Sequence, residues 1–153
     1  MQMQTLELDV LINAPAERVF EVLTDLEGLP ERVTAIQKIE LLTEGPVGLG
    51  TKFRETRIMF KREASEEMEF TSFDPPQGYV LEAESRGARY TTTYRLDPEN
   101  NGTRLSISFE GTALSPFARF VSAVLMPFFK GAMRRAVEAD LENLKHAAEA
   151  GSE

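Results

Sequence analysis

Between Ile36 and Thr112 the chain is cut into short extended segments by clusters of turn-forming residues, and this spacing constrains the fold more than any other feature. The clusters are Glu44-Gly45-Pro46-Val47-Gly48-Leu49-Gly50, Asp74-Pro75-Pro76-Gln77-Gly78, Arg86-Gly87-Ala88-Arg89 and the run from Asp97 to Gly102. Gly, Pro, Asn and Asp each favour backbone geometries that reverse a chain. Strands joined so closely pair antiparallel, because a parallel return needs a crossover of about a dozen residues or more. The segment therefore reads as a meander. A further strand precedes it: Leu6, Leu8, Val10 and Ile12 alternate with Glu7, Asp9, Leu11 and Asn13, the period of two that marks a strand with one better-buried face.

Helical signals flank the meander. Pro15 suits the first turn of a helix, Glu17 complements the positive end of its dipole, and Ala16, Val19, Phe20 and Leu23 share one face. Gly28-Leu29-Pro30-Glu31-Arg32 then breaks the pattern and restarts it as a second short helix. From Ser115 to Ala150 only Pro127 and Gly131 are poor helix formers. Phe117, Val121, Val124 and Phe128 fall on one face of that segment, and the stripe resumes as Met133, Val137, Leu141 and Leu144. Pro127 removes one backbone hydrogen bond and is expected to kink this helix without ending it. The sum is an α+β fold, a curved antiparallel sheet of about seven strands wrapped around a long C-terminal α-helix, with two short helices after the first strand. One domain over residues 1–153 is expected, because a chain of 153 residues carries no repeat or low-complexity tract and lies near the usual domain size.

Composition excludes several functions. A formal charge of -8, from 25 acidic and 17 basic residues, opposes a phosphate backbone, whose affinity for proteins depends on Lys and Arg, so no nucleic-acid partner is expected. The absence of cysteine removes disulfides, thiolate nucleophiles and thiolate-bound metals together. His146 is the only histidine and sits near the end of the long helix, where the dipole favours a cation. Neither a histidine-based triad nor a familiar zinc site can be assembled, and no metal or cofactor is expected. Gly48-Leu49-Gly50 is too short for a dinucleotide or phosphate loop and reads as a turn. The start Met1-Gln2-Met3-Gln4-Thr5 lacks the basic and apolar regions of a signal peptide, so a cytoplasmic location is expected. Asn101-Gly102-Thr103, a sequon that would matter only in a secreted protein, reads as turn chemistry. The apolar run Phe120 to Phe129 is about half the length of a membrane-crossing helix, and no transmembrane segment is expected.

Charge fixes the register of one hairpin. A two-residue loop at Phe60-Lys61 sets Lys52 opposite Glu69 and Arg54 opposite Glu67 on the wet face. The same register puts Phe53 opposite Met68 and Thr51 opposite Phe70 on the other face. It also sets Glu55 opposite Glu66 on that inner face, with Arg57 opposite Ala64. Two facing carboxylates are unfavourable unless one holds a proton or a cation lies between them. Applied to the turn at Gly87-Ala88, the same exercise pairs Ser85 with Tyr90, Ala83 with Thr92 and Leu81 with Tyr94. A sheet face that ought to be core is therefore partly polar.

The order of elements resembles the helix-grip fold of the START and Bet v 1-like superfamily, over nearly the whole chain. The resemblance is carried by Ile12-Asn13-Ala14-Pro15-Ala16-Glu17-Arg18-Val19-Phe20 with Leu23-Thr24-Asp25, by Gly48-Leu49-Gly50-Thr51-Lys52-Phe53 and by Phe73-Asp74-Pro75-Pro76. These look like the polyketide cyclase/dehydrase and lipid-transport branch, whose members often have Trp where this chain has Phe20. The resemblance implies a hydrophobic cavity between sheet and long helix, used across the superfamily for lipids, quinones, hormones and polyketides. A fold so widely reused does not choose a reaction, and the site must carry that claim.

The candidate site is the inner-face group Glu55, Arg57, Glu66, Tyr90, Thr92 and Tyr94, since ligand pockets are apolar surfaces with a few convergent polar groups. Phe53, Met59, Met68, Phe70 and Leu81 on the strands, with Phe117, Val121, Val124 and Phe128 on the long helix, complete the expected ligand-binding wall. A plain internal salt-bridge network, with Arg57 neutralising both glutamates, accounts for the same charges, and the helix stripe reads equally as core. Three functions compete. The first is binding or transport of a hydrophobic small molecule such as a lipid, quinone or polyketide. The second is a cyclase- or dehydratase-like enzyme with Glu55 or Glu66 as acid or base and Arg57 or Tyr90 steadying a developing oxyanion. The third is an interaction or membrane-docking module built on Leu125 to Phe129. The chain is expected to be a monomer or a homodimer.

Overall fold

The computed structural model describes residues 3–59, 61–85, 87–113 and 116–150, and the side chains of 6–58, 61–84, 87–112 and 131–150. Strand β1 (Met3–Ile12) leads into helix α1 (Ala16–Thr24), a short turn of 3-10 helix (Leu26–Gly28) and helix α2 (Leu29–Arg32). Strands β2 (Ile36–Leu41), β3 (Lys52–Met59), β4 (Arg62–Asp74), β5 (Gly78–Ser85), β6 (Ala88–Glu99) and β7 (Gly102–Ala113) follow, and helix α3 (Pro116–Ala150) closes the chain. The sheet has seven strands in the order β1-β7-β6-β5-β4-β3-β2, every neighbouring pair antiparallel. Consecutive strands pair directly except β1, which joins the far edge beside β7. The path from β1 to β2 therefore spans the whole sheet, and α1 and α2 occupy that path.

The charge-derived hairpin register holds: Lys52 stands opposite Glu69, Arg54 opposite Glu67, Phe53 opposite Met68 and Glu55 opposite Glu66. Arg54 Nη2 lies 2.6 Å from Glu67 Oε2. Such exposed pairs stabilise little, but they select one alignment over its neighbours. The second hairpin corrects the expectation. Ser85 pairs with Ala88, Ala83 with Tyr90, Leu81 with Thr92 and Tyr79 with Tyr94, two residues away from the pairing derived above. Gly87 adopts a φ of 78°, which glycine accepts without the penalty a side chain would bring, so the chain reverses in a tighter loop. Because the shift is by two, the same side chains still face inward.

A bulge in β4 has a further effect on the core. Phe70 pairs with Leu81 but Ser72 pairs with Val80, leaving Thr71 as the extra residue. Residues three apart in a regular strand face opposite sides. The bulge turns Phe73 to the same side as Phe70, and their rings meet edge to face at 5.6 Å. Phe20 of α1 then packs edge to face on Phe73 at 5.4 Å and on Tyr79 at 5.8 Å, which fastens the first helix to the sheet. The centre of the core is Ile12, Val19, Val22, Phe53, Phe70 and Leu105, all fully buried.

The C-terminal part of α3 is pinned by polar contacts from the start of the chain. Arg18 donates to the carbonyls of Ala147 and Ala148 at 3.3 and 3.5 Å, where a cation meets the negative end of the helix. The backbone N–H of Asn13 donates to Glu149 at 2.8 Å, and that of Thr34 to Asn143 Oδ1 at 2.9 Å. Leu141, Leu144 and Ala148 are buried against the core. Arg134, Arg135 and His146 are exposed. The backbone of α3 is helical throughout Pro116–Ala150, Pro127 included. Among the described residues no helix is long and apolar enough to cross a membrane.

Candidate functional site

The concave face of the sheet and helix α3 do not close completely on each other. They leave a cavity of about 330 Å³, within the range of about 300–1,000 Å³ usual for small-molecule sites. Strands β3 to β6 supply its floor through Phe53, Met68, Phe70, Leu81, Thr92 and Tyr94, while Met133, Val137 and Leu144 of α3 form the opposite wall. Leu23, Leu26, Leu29 and Val33, from α1 through the segment after α2, close one side. The floor is strongly aromatic. Tyr79 and Tyr94 stack with centroids 4.4 Å apart at 16°, and Tyr90 stacks on Phe109 at 5.6 Å and 22°.

Every strand residue expected in the site whose side chain is described lines this cavity: Phe53, Glu55, Arg57, Glu66, Met68, Phe70, Leu81, Tyr90, Thr92 and Tyr94. The side chains of Met59, Phe117, Val121, Val124 and Phe128 lie outside the described residues, as do those of Leu125 to Phe129, on which the docking reading rested. Sequence reasoning missed Asp140, Tyr79 and Phe109, and it missed the side wall formed by the short helices. For Asp140 a signal was present. It stands three residues after Val137 and four before Leu144, on the stripe that faces the sheet.

Asp140 reorganises the polar end of the cavity. Arg57 Nε donates to Glu55 Oε1 at 2.7 Å, and Arg57 Nη2 lies 3.0 Å from Asp140 Oδ2. The guanidinium thus joins the sheet to the long helix. Arg57 was expected to neutralise two glutamates of neighbouring strands, and the helix aspartate is a partner which that expectation lacked. The three side chains are 18%, 14% and 18% exposed for Arg57, Glu55 and Asp140, so solvent screens them weakly. Burial opposes the Arg57 charge, but Glu55 and Asp140 outweigh it and raise its pKa further. Burial raises the Asp140 carboxyl above the ordinary aspartate range, Arg57 opposes that rise and Glu55 adds to it. The Tyr94 phenol is pushed up by burial, then by Glu55 and Asp140, and that of Tyr79 by burial, then by Tyr94 and Glu55. Both remain neutral hydroxyls that can donate and accept.

A second concavity, of about 390 Å³, lies on the outer face of the sheet between Lys52, Glu67, Glu69, Glu82, Glu84 and Arg89. Its charged, solvated lining offers little apolar surface to a ligand. Among the described residues no group of acidic or histidine side chains is placed to hold a metal ion.

A long helix gripped by a seven-stranded sheet, with a cavity between them, defines the helix-grip class of Bet v 1-like proteins. Solved structures agree. A protein of Thermus thermophilus is 23% identical with a TM-score of 0.78, over 98% of this chain and 100% of that one. The Zhui aromatase/cyclase of a Streptomyces strain is 20% identical with a TM-score of 0.74, over 97% and 94%. The major latex-like protein 151 of Panax ginseng is 9% identical with a TM-score of 0.74, over 95% and 97%. Residues 3–149 match the family described as polyketide cyclase / dehydrase and lipid transport, and the chain belongs to that family. No curated protein sequence matches the chain.

Proposed function

We propose that this protein binds a hydrophobic small molecule in the cavity between sheet and α3, the ligand lying on the aromatic floor with its polar end at Glu55, Arg57 and Asp140. The observation that carries the reading is the cavity itself, about 330 Å³ of space lined by apolar and aromatic side chains with one charged end. Interiors ordinarily close-pack with few voids larger than a water molecule, so space of this size argues for an occupant. Family membership points the same way.

A second reading, a cyclase- or dehydratase-like acid-base catalyst, draws on one specific observation: a carboxyl in the cavity, Asp140, whose pKa is raised by burial. Arg57 holds both Asp140, at 3.0 Å, and Glu55, at 2.7 Å, so either carboxyl would act with the guanidinium beside it.

The test of the binding reading is a fluorescent apolar dye titrated into the purified chain, alongside Val137→Trp, which adds an indole to the helix wall. Dye binding in the wild type that Val137→Trp abolishes supports the reading. A wild type that binds no dye and yields no apolar compound on solvent extraction overturns it. Turnover of an aromatic polyketone that fails with Asp140→Asn would favour the catalytic reading.

A further inference from the structure

The sheet ends on β2, which pairs with β3 on one side and with no strand on the other. In an antiparallel pair, residues that turn their N–H and C=O toward one neighbour alternate with residues that turn them away. The backbone N–H of Leu42 donates to the Lys52 carbonyl at 2.8 Å. Glu40 and Lys38 therefore face β3 in the same way, and Ile39 and Leu41 present their backbone groups to the open edge. Among the described residues no turn or loop hydrogen bond reaches Ile39 or Leu41. An open row of this kind is a template for another strand. Apolar side chains gather along it: Leu41 and Leu42 are exposed, as is Ile58 of β3 beside the start of β2.

Charge says which strand fits there. Lys38 and Glu40 share the outer face of β2, opposite Thr56 and Arg54, and Lys38 Nζ lies 3.5 Å from Glu40 Oε1. A second β2 laid antiparallel on the first, about a two-fold axis through Ile39, sets Lys38 of each copy opposite Glu40 of the other. The four charges then alternate in sign around the axis, at a cross-strand Cβ spacing of about 4.5–5.5 Å. The same alignment makes Ile39 the hydrogen-bonded pair at the axis, as its outward backbone groups require, and carries Leu42 of each copy to Ile36 of the other, next to Ile58. Moving the axis by one residue opposes Lys38 to Lys38 or Glu40 to Glu40, and like charges directly opposite repel. A lysine and a bulge are common guards of an edge strand, and β2 has both, the bulge lying between Ile36 and Lys38. Against its own copy the lysine meets an acid. We propose that the β2 edge is the interface of a homodimer, in which the two sheets join antiparallel into one. One patch meets its own copy, so assembly stops at two.

The test is sedimentation velocity of the full chain over a wide range of concentration. The wild type should shift from monomer to dimer as concentration rises. Lys38→Glu sets acids opposite each other across the axis and Glu40→Lys sets bases opposite each other, so each variant alone should self-associate at least about tenfold more weakly. Mixed, the two variants restore both complementary pairs and should form a heterodimer. Leu41→Pro deletes an N–H that points to the open edge, a position where an edge strand tolerates proline. It should abolish the dimer and leave Tm near that of the wild type. A wild type that stays monomeric at every concentration overturns the proposal. So does a dimer that survives Leu41→Pro and both charge variants, because it uses another surface. Should Leu41→Pro fail to fold, the mixture decides: folded Lys38→Glu and Glu40→Lys chains that do not pair with each other refute the interface.

Discussion

Replacing Arg57 with methionine keeps most of the side-chain volume and removes the one guanidinium found among the described residues that line the cavity. Glu55 and Asp140, each less than a fifth exposed, then lose their common counter-ion. Breaking a buried ion pair by removing one partner costs about 3–5 kcal/mol, because an uncompensated charge stays in a low-dielectric site. For a chain of this length each kcal/mol moves Tm by about 2–4 °C, so Arg57→Met should melt roughly 6–20 °C below the wild type at neutral pH. The pH dependence follows from Asp140. Its pKa is raised in the folded chain, so the folded state holds that proton more tightly than the unfolded one. The stability from this group is present in full below its unfolded pKa and is lost as pH rises through the folded value. Arg57 itself is raised from an already very high value, and its contribution is intact at every assay pH. Removing it also removes the interactions that lower the Asp140 pKa, so the variant's deficit should shrink as the solution is acidified. Thermal and urea unfolding at neutral and mildly acidic pH measure both effects. A loss under about 1 kcal/mol, the level of an exposed pair, or a deficit that does not shrink on acidification, would refute the argument. The triple variant Arg57→Met, Glu55→Gln, Asp140→Asn should recover much of the lost stability.

Two further perturbations test parts of the frame. A Cβ on Gly78 would run into the Tyr94 carbonyl oxygen, so Gly78→Ala should cost about 1–3 kcal/mol in urea unfolding. Gly48→Ala, where nothing lies within 4 Å, should be near neutral, and equal effects would contradict the packing described for β5 and β6. Arg18→Ala removes the contacts to the Ala147 and Ala148 carbonyls. It should cost about 0.5–1.5 kcal/mol and speed amide exchange in the last turns of α3; uniform acceleration across the sheet would place the effect elsewhere.

The fold was readable because its two strongest signals are local. Turn clusters closer together than a crossover allows force an antiparallel meander, and a segment of some ten turns that is helix-tolerant apart from Pro127 and Gly131 has little choice but to pack across it. The β3–β4 register was readable because two complementary charge pairs agree with the apolar pairs on the reverse face. The β5–β6 register was missed although it sets Glu84 opposite Arg89, a pair at 2.8 Å, because the expected loop was longer than the one that the backbone freedom of Gly87 permits. The bulge at Thr71 left no mark either: Phe70 and Phe73 at odd spacing read as one residue inside and one outside, and only the paired strand shows both turned inward.

Most of the polar site was legible for a related reason. Strand alternation places Glu55, Arg57 and Glu66 on one face whatever packs above them, whereas Asp140 belongs to the site only through the rotation of α3. On the helix it is one acid among several, and Glu138 and Glu142 are exposed. What separates it is its spacing from Val137 and Leu144, which commits it to the sheet side and therefore to a cation there. An inner-face arginine and an aspartate on the helix stripe together define a bridge that neither defines alone. Stability by itself supplies no reason for that bridge, because well-packed apolar residues in place of a buried ion pair are often neutral or stabilising by about 1–4 kcal/mol. Apolar residues would also let α3 settle onto the sheet, removing the polar end and reducing the cavity. On the binding reading proposed above, the triad makes physical sense as the polar end of a site that stays open.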